Sequence, residues 1–280
     1  MNNQDITIII TSFHSGEKIF NCINSIDKNI KIIVVENSND QLLKEEILSR
    51  YNNVDCVLSK ENLGYGAGNN LGLSKVETNY ALIVNPDVTL KNDAIKQFFL
   101  RINKVENFGI IAPVSKDEKY NNFNIDFDKD IKEVENVKGF AMFLNMKNLK
   151  KIDFFDENFF LYFEEIDLCK RLQNNNIKIF IDPSIEVSHF GGASHNTKIN
   201  KPMELSRNWH WMWSSFYYHK KHHGYIAALV RIFPKLISSS IKFIVYLLIF
   251  KRFKSDIYKH RVLGIINSVL LKKSWYRPKI

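Results

Sequence analysis

From Ile6 to Pro113 the sequence alternates short apolar, β-branched runs with segments of helical spacing, and this alternation limits the fold more than any other feature. ITIIIT (6–11), KIIVVE (31–36), VDCVLS, YALIVN and FGIIAP read as strands. Between them EKIFNCINSI, DQLLKEEILSRY and NDAIKQFFLRI read as helices, the last with Asn92 in the N-cap position. Strands that alternate with helices build a mostly parallel sheet covered by helices, an α/β fold. Ligands of such a sheet bind at the carboxyl ends of its strands. Those ends fall at residues 11–13, 36–38, 62–70 and 85–87.

Further along, residues 115–136 are polar and irregular and read as a loop. After GFAMFLNM comes FDENFFLYFEEIDLCKRLQNNN, whose second part reads as a helix with an acidic first turn. KIFIDP and IEVSHF read as two short strands, and from about Met203 the pattern is helical and basic. The expected organisation is a catalytic-type α/β domain over 1–202 and a helical, basic region over 203–280.

Composition excludes several classes. With 45% hydrophobic and 25% charged residues the chain is that of a folded protein. Its three cysteines form no CxxC pair, which argues against a zinc ribbon or disulfide framework and fits a reducing compartment. The polar start, MNNQD, carries no signal-peptide pattern. The net charge of +9 is uneven: residues 198–280 hold 17 Lys/Arg against two acids, Glu204 and Asp256. Such a tail suits nucleic acid, an anionic membrane surface or a phosphate-bearing substrate. No recognisable nucleic-acid-binding motif accompanies it.

Four segments could carry chemistry, and each has a plain structural reading beside the functional one. NLGYGAGNNLGL (62–73) holds glycines that let backbone amides approach a phosphate, or that merely make a tight turn; it matches neither a Rossmann GxGxxG nor a P-loop. NPDV (85–88) is an Asx or Pro turn, or a metal-binding carboxylate at a strand end. In FFLYFEEIDLCKR, Glu164, Glu165 and Asp167 crowd one helical turn; they serve the helix dipole, or one is a buried carboxylate tuned as a base. In VSHFGGASH, His189 is a structural histidine or a metal ligand.

Taken in order, the segments resemble the family 2 glycosyltransferases of GT-A fold, in particular the rhamnosyltransferase-like branch. The residues that carry the resemblance are TSFHSGEKIFNCINSI, VVENS, ENLGYGAGNNLGL, NPDV, FDENFFLYFEEIDLCKRL, HFGGAS and SRNWHWMWSSFYYHKK, spanning about Ile6 to His223. The resemblance implies an inverting transferase that moves a sugar such as rhamnose from a dTDP or UDP donor to a hydroxyl of a surface polysaccharide or lipid-linked glycan. It implies nucleotide contacts at Thr11, Phe13, Glu36, Asn37, Asn62, Gly64, Gly66, Asn69 and Asn85. NPDV takes the place of the family's Asp-x-Asp motif, so Asp87 would bind Mg²⁺ or Mn²⁺, Asn85 would stand in for the first acid, and His189 would complete the metal site. The family's base is the second acid of a Glu-Asp pair. Here the pair is Glu164-Glu165, so Glu165 is the expected base, with Glu164 and Asp167 as runners-up. The departures at Asn85 and Glu165 keep open a catalytically silent relative that binds a nucleotide sugar or acts as a scaffold.

SRNWHWMWSSFYYHKKHHG interleaves aromatics with cations, either as a helix packed on the domain or as an acceptor surface, with Trp209 and Trp213 as acceptor contacts. Beyond it the apolar stretch is broken by Arg231, Pro234, Lys235 and Lys242, too often for a span of about 20 apolar residues. An in-plane helix with basic flanks is expected instead, attaching a cytoplasmic protein peripherally to the inner face of the plasma membrane.

Overall fold

The computed structural model describes residues 5–91, 93–115, 130–189 and 200–278. The chain divides into two compact units: Met1–Phe155 with Glu165–Asn196, and Asp156–Glu164 with Thr197–Ile280. The second unit thus takes in a segment that the sequence reading assigned to the 1–202 domain.

The first unit is built on β1 (Ile6–Ser12), β2 (Lys31–Glu36), β3 (Val54–Leu58), β4 (Tyr80–Val84), β5 (Val88–Leu90), β6 (Phe108–Ser115), β7 (Lys132–Glu133), β8 (Ala141–Asn145) and β9 (Lys178–His189). They form one sheet in the order β3-β2-β1-β4-β8-β6-β9-β5, with β7 also on β9. β1 to β4 pair in parallel, as do β6 and β9; β8 runs antiparallel between β4 and β6. The expected mostly parallel sheet is therefore present, with antiparallel strands inserted where the chain turns back.

The apolar runs are continuous because both faces of the sheet are covered. Successive residues of β1 feed opposite cores: Ile8 and Ile10 pack with α1 (Lys18–Asn24), α2 (Gln41–Arg50) and α4 (Ala94–Ile102). Ile9 packs with Leu73 of α3 (Tyr65–Leu73) and with Leu168 and Leu172 of α6 (Glu164–Asn174). A short helix, α5 (Met146–Leu149), follows β8. Asp40 caps α2, its side chain accepting from the Leu43 amide at 3.0 Å. The expected N-cap Asn92 lies outside the described residues, and the structure puts Asp93 at that position.

Two readings of the sequence change. KIFIDP and the described part of IEVSHF, up to His189, are one strand, β9, whose pairing with β6 jumps from Asp182 to Glu186 at a bulge. Val88, read as the last residue of the NPDV turn, also opens a three-residue strand, β5, antiparallel to β9.

The second unit holds three long helices, α7 (Asn200–His223), α8 (Tyr225–Leu248) and α9 (Arg252–Val269). Met212, Phe216, Ala228, Ile232 and Ile265 form its core. A Cβ on Gly264 would stand 2.3 Å from the Trp209 carbonyl oxygen, so only glycine lets α9 approach α7 this closely. Among the described residues no helix is long and apolar enough to cross a membrane.

Candidate active site

NPDV forms a turn at the end of β4. The Val88 amide donates to the Asn85 carbonyl at 3.0 Å, closing a β-turn, and the Asn85 amide donates to the Phe140 carbonyl at 2.8 Å. The turn reverses the chain into β5, where Val88 pairs directly with His189 of β9. This pairing sets the His189 Nε2 3.7 Å from Asp87 Oδ1. The Phe140 ring stacks on the imidazole at 4.7 Å between centroids, 19° from parallel, and fixes its plane.

Asp87 is 5% exposed, and neither carboxylate oxygen accepts a hydrogen bond among the described residues. Its charge reaches Cys22, whose buried thiol is raised well above the ordinary range by burial and then by Asp87. A buried carboxylate without donors is costly unless a cation compensates it. The carboxylate is a fitting oxygen donor for Mg²⁺ or Mn²⁺, and the imidazole beside it offers one neutral nitrogen. No group of three or more His, Cys, Asp or Glu side chains that could hold a metal exists among the described residues. A cation here would therefore take its remaining ligands from phosphate oxygens and water.

The three acids at the start of α6 have different surroundings. The Asp167 carboxylate is fully buried and accepts from Arg171 Nε at 2.8 Å. Arg171 in turn donates to the carbonyls of Ile152, Asp153 and Phe154. Asp167 is thus committed to a structural pair, which removes it as a runner-up base. Glu164 is 4% exposed and ends the segment that belongs to the helical unit. Glu165 Oε2 is closed off from solvent. Burial pushes the Glu165 carboxyl up to about 7, against the opposing pull of the Glu165 and Ile166 backbone amides. One turn on, burial lifts the Cys169 thiol to about 12, opposed by a backbone hydrogen bond at Val137 and reinforced by the Glu165 charge. The base candidate therefore lies on the side of α6 that faces the approach to β8.

The nucleotide-contact candidates turn out to be knotted together. Glu36 is completely buried: Oε2 accepts from the Asp40 amide at 2.6 Å, and Oε1 from the Ser38 amide and hydroxyl. The carboxylate expected at a base is bonded within its own loop. Asn37 donates to Asn62 Oδ1 at 3.3 Å and to the Gly64 carbonyl at 3.0 Å, and accepts from the Leu63 amide at 3.0 Å. Asn62 also accepts from the Gly64 amide at 3.0 Å. Thr11 donates to Asn69 Oδ1 at 2.8 Å, and Asn69 donates to the Tyr65 carbonyl at 3.0 Å. These bonds lash the ends of β1 and β2 to the start of α3. Phe13 is half-buried and packs edge-on to His14.

The glycines serve the same packing. Gly64 sits at φ +84°, a left-handed conformation, in the cap position from which α3 starts at Tyr65. A Cβ on Gly68 would meet Thr11 Cγ2 at 2.7 Å, so this glycine lets α3 lie against β1. Gly66 is buried in the first turn. The loop's Leu63 and Gly64 amides, which a phosphate cradle would need, are already used by Asn37 and Asn62.

Sequence reasoning missed three residues of this region. Tyr65 donates its hydroxyl to the Gly139 carbonyl, tying α3 to the approach of β8. Phe140 orients His189. Lys138, two residues before Phe140 in the chain, has its ammonium pKa lowered by burial. The signal was present in VKGF, a lone cation and an aromatic entering an apolar strand.

In the helical unit, Trp209 and Trp213 are 1% and 3% exposed and stack on each other, so both expected acceptor contacts are core side chains. Trp211 is 42% exposed and meets the rings of Tyr162 and Phe163. Those two residues carry φ of 68° and 71°, consecutive left-handed aromatics just ahead of the Glu-Glu pair. HFGGAS, which carried part of the resemblance, lies beyond His189 outside the described residues except for that histidine.

The family model described as Glycosyl transferase family 2 matches residues 7–168. The low-salt glycan biosynthesis hexosyltransferase Agl10 of Haloferax volcanii is 26% identical over 62% of this chain; the match spans 64% of that protein, under two thirds of its length. The rhamnosyltransferase WbbL of Escherichia coli K12 is 24% identical over 72% of this chain and 88% of its own. Among solved structures, the mannosyltransferase PcManGT of Pyrobaculum calidifontis, in complex with GDP-Man and Mn²⁺, superposes with TM-score 0.59 at 10% identity, over 96% of this chain and 88% of that one. TarS of S. aureus (residues 1–349) in complex with UDP-GlcNAc gives 0.54 at 14% identity, over 98% and 93%. These likenesses give the fold, GT-A, and the chain continues into a C-terminal helical extension.

Proposed function

The chain belongs to glycosyl transferase family 2, and from that premise we propose that it is an inverting, metal-dependent hexosyltransferase acting at the inner face of the plasma membrane. Its donor is a dTDP- or UDP-linked sugar, rhamnose or a similar deoxysugar, and its acceptor is a hydroxyl of a surface polysaccharide or lipid-linked glycan. The hexosyltransferase and rhamnosyltransferase relatives support this class. The observation that carries the reading is the buried Asp87 carboxylate beside His189 at 3.7 Å.

Asp87 and His189 would hold Mg²⁺ or Mn²⁺; when bound, the ion neutralises charge on the departing diphosphate. The mannosyltransferase neighbour, in complex with GDP-Man and Mn²⁺, is in keeping with this. Asn85 anchors the turn through its backbone and offers a half-buried amide at its tip. Glu165 takes the acceptor's proton as the new bond from acceptor oxygen to the anomeric carbon forms. The bond from that carbon to the phosphate oxygen breaks on the opposite face, and its electron pair leaves with the nucleoside diphosphate. A carboxyl titrating near 7 suits a base at neutral pH.

The test is release of nucleoside diphosphate from a panel of dTDP- and UDP-sugars, with and without Mn²⁺, alongside thermal shifts with the free nucleotides. Mn²⁺-dependent turnover of one donor class is expected. Nucleotide binding without turnover would favour the silent relative, and no nucleotide binding would overturn both.

A further inference from the structure

α8 has two apolar faces, and its fold uses one. Ala228, Ile232 and Ser239 are buried against the helical unit. On the outside, Ile226, Val230, Phe233, Ile237, Ile241 and Ile244 follow one another at steps of three and four residues. Each is between 45% and 72% exposed. Such spacing is a single stripe along a helix. At about 1.5 Å per residue it runs on the order of 27 Å, and no charged residue interrupts it.

The cations of α8 lie off the stripe. Lys235 donates to Ser215 Oγ at 3.1 Å, and Lys242 sits over the Tyr258 ring at 5.4 Å. Pro234 lies within the helix and lines an apolar groove of about 430 Å³ with Leu229, Phe233, Leu236 and Val269. The charge gathers at the ends. Lys251, Arg252 and Lys254 are exposed around Phe250, itself 87% exposed. Lys272 and Lys273 follow the exposed Leu270 and Leu271.

We propose that the outward face of α8 is a docking surface for an anionic lipid bilayer, lying in the plane of the interface. The stripe enters the acyl boundary, and the cations at its ends meet phosphate headgroups. Charge complementarity selects this occupant. The balance of 17 Lys/Arg to two acids over 198–280 attracts an anionic surface and repels a second copy of the same face. The helix is not apolar enough to span, so it rests on the membrane. The surface is separate from the transfer chemistry, and lipid binding is measured without any donor.

The experiment is co-sedimentation of the full chain with vesicles of phosphatidylcholine alone or mixed with phosphatidylglycerol. Binding to the mixed vesicles is expected, weakening as salt rises. Phe233→Glu with Ile237→Glu should reduce it at least tenfold, and Lys251→Glu with Lys254→Glu should remove the preference for phosphatidylglycerol. Circular dichroism and nucleotide thermal shifts verify that these surface variants remain folded. Equal sedimentation of wild type and the Phe233/Ile237 variant would overturn the proposal. So would a lipid-free dimer that the same variant dissolves, since the stripe would then be a self-interface. Vesicle binding by a protein that binds no nucleotide would leave this surface standing and remove the transferase reading.

Discussion

His189 Nε2 stands 3.7 Å from Asp87 Oδ1 because Val88 and His189 are paired residues of antiparallel strands. The two side chains come from segments far apart in sequence, and a ladder of three residue pairs holds them together. The ion-binding chemistry proposed for this corner rests on that short ladder.

Asp87→Asn should abolish Mn²⁺-dependent turnover while leaving the apo protein as stable as wild type or more so. It removes a buried carboxylate that has no hydrogen-bond donor among the described residues. At a hundredfold excess of Mn²⁺ over its Kd the wild type should gain about 2.7 kcal/mol. Thermal melts with and without Mn²⁺ measure this. A variant that still gains stability from the ion would show that Asp87 is not a ligand.

Glu165 sets a pH dependence. Burial raises its folded carboxyl from 4.5 to about 7. Between those values the folded state holds a proton that the unfolded state releases. Its favourable contribution is complete below about 4.5 and is lost as pH rises through 7, on the order of 3 kcal/mol. Turnover, which needs the ionised base, should fall below about pH 7. Glu165→Gln should lower turnover at least about 10²-fold and melt higher than wild type at pH 8, with the gain gone at pH 4. Paired melting curves at the two pH values check the sign.

Asp167→Asn separates structure from chemistry. It breaks the buried pair with Arg171 at 2.8 Å, and loss of one partner costs about 3–5 kcal/mol. Denaturant unfolding should show that loss, while turnover of the folded fraction at low temperature stays within a few-fold of wild type. A selective collapse of turnover in a stable protein would return Asp167 to the list of bases.

Gly68→Ala should destabilise by about 1–3 kcal/mol, because its methyl would stand 2.7 Å from the β-branched Thr11 side chain. The helix must then lift from β1, loosening the Thr11–Asn69 bond beside the expected nucleotide pocket. A weaker thermal shift with the preferred nucleotide, beyond the loss in Tm, is the readout.

The sequence determined the architecture because its signals are local. KIIVVE is a strand with the expected limits, and the continuous apolar runs require a sheet covered on both faces. The ordered motifs also pointed to Asp87, Glu165 and His189 as candidates. Only the structure shows what surrounds these residues, since that depends on pairing and burial. β5 is too short to show a period, yet its register with β9 brings Asp87 to His189. Asp167 and Glu165 are neighbours in one acidic turn, but Arg171 claims the first and desolvation tunes the second. Trp209, Trp211 and Trp213 read alike in sequence; helix packing buries two and leaves the middle one exposed. Local pattern fixes which elements form, while a carboxylate's partners and an indole's exposure are set by the distant segments folded against it.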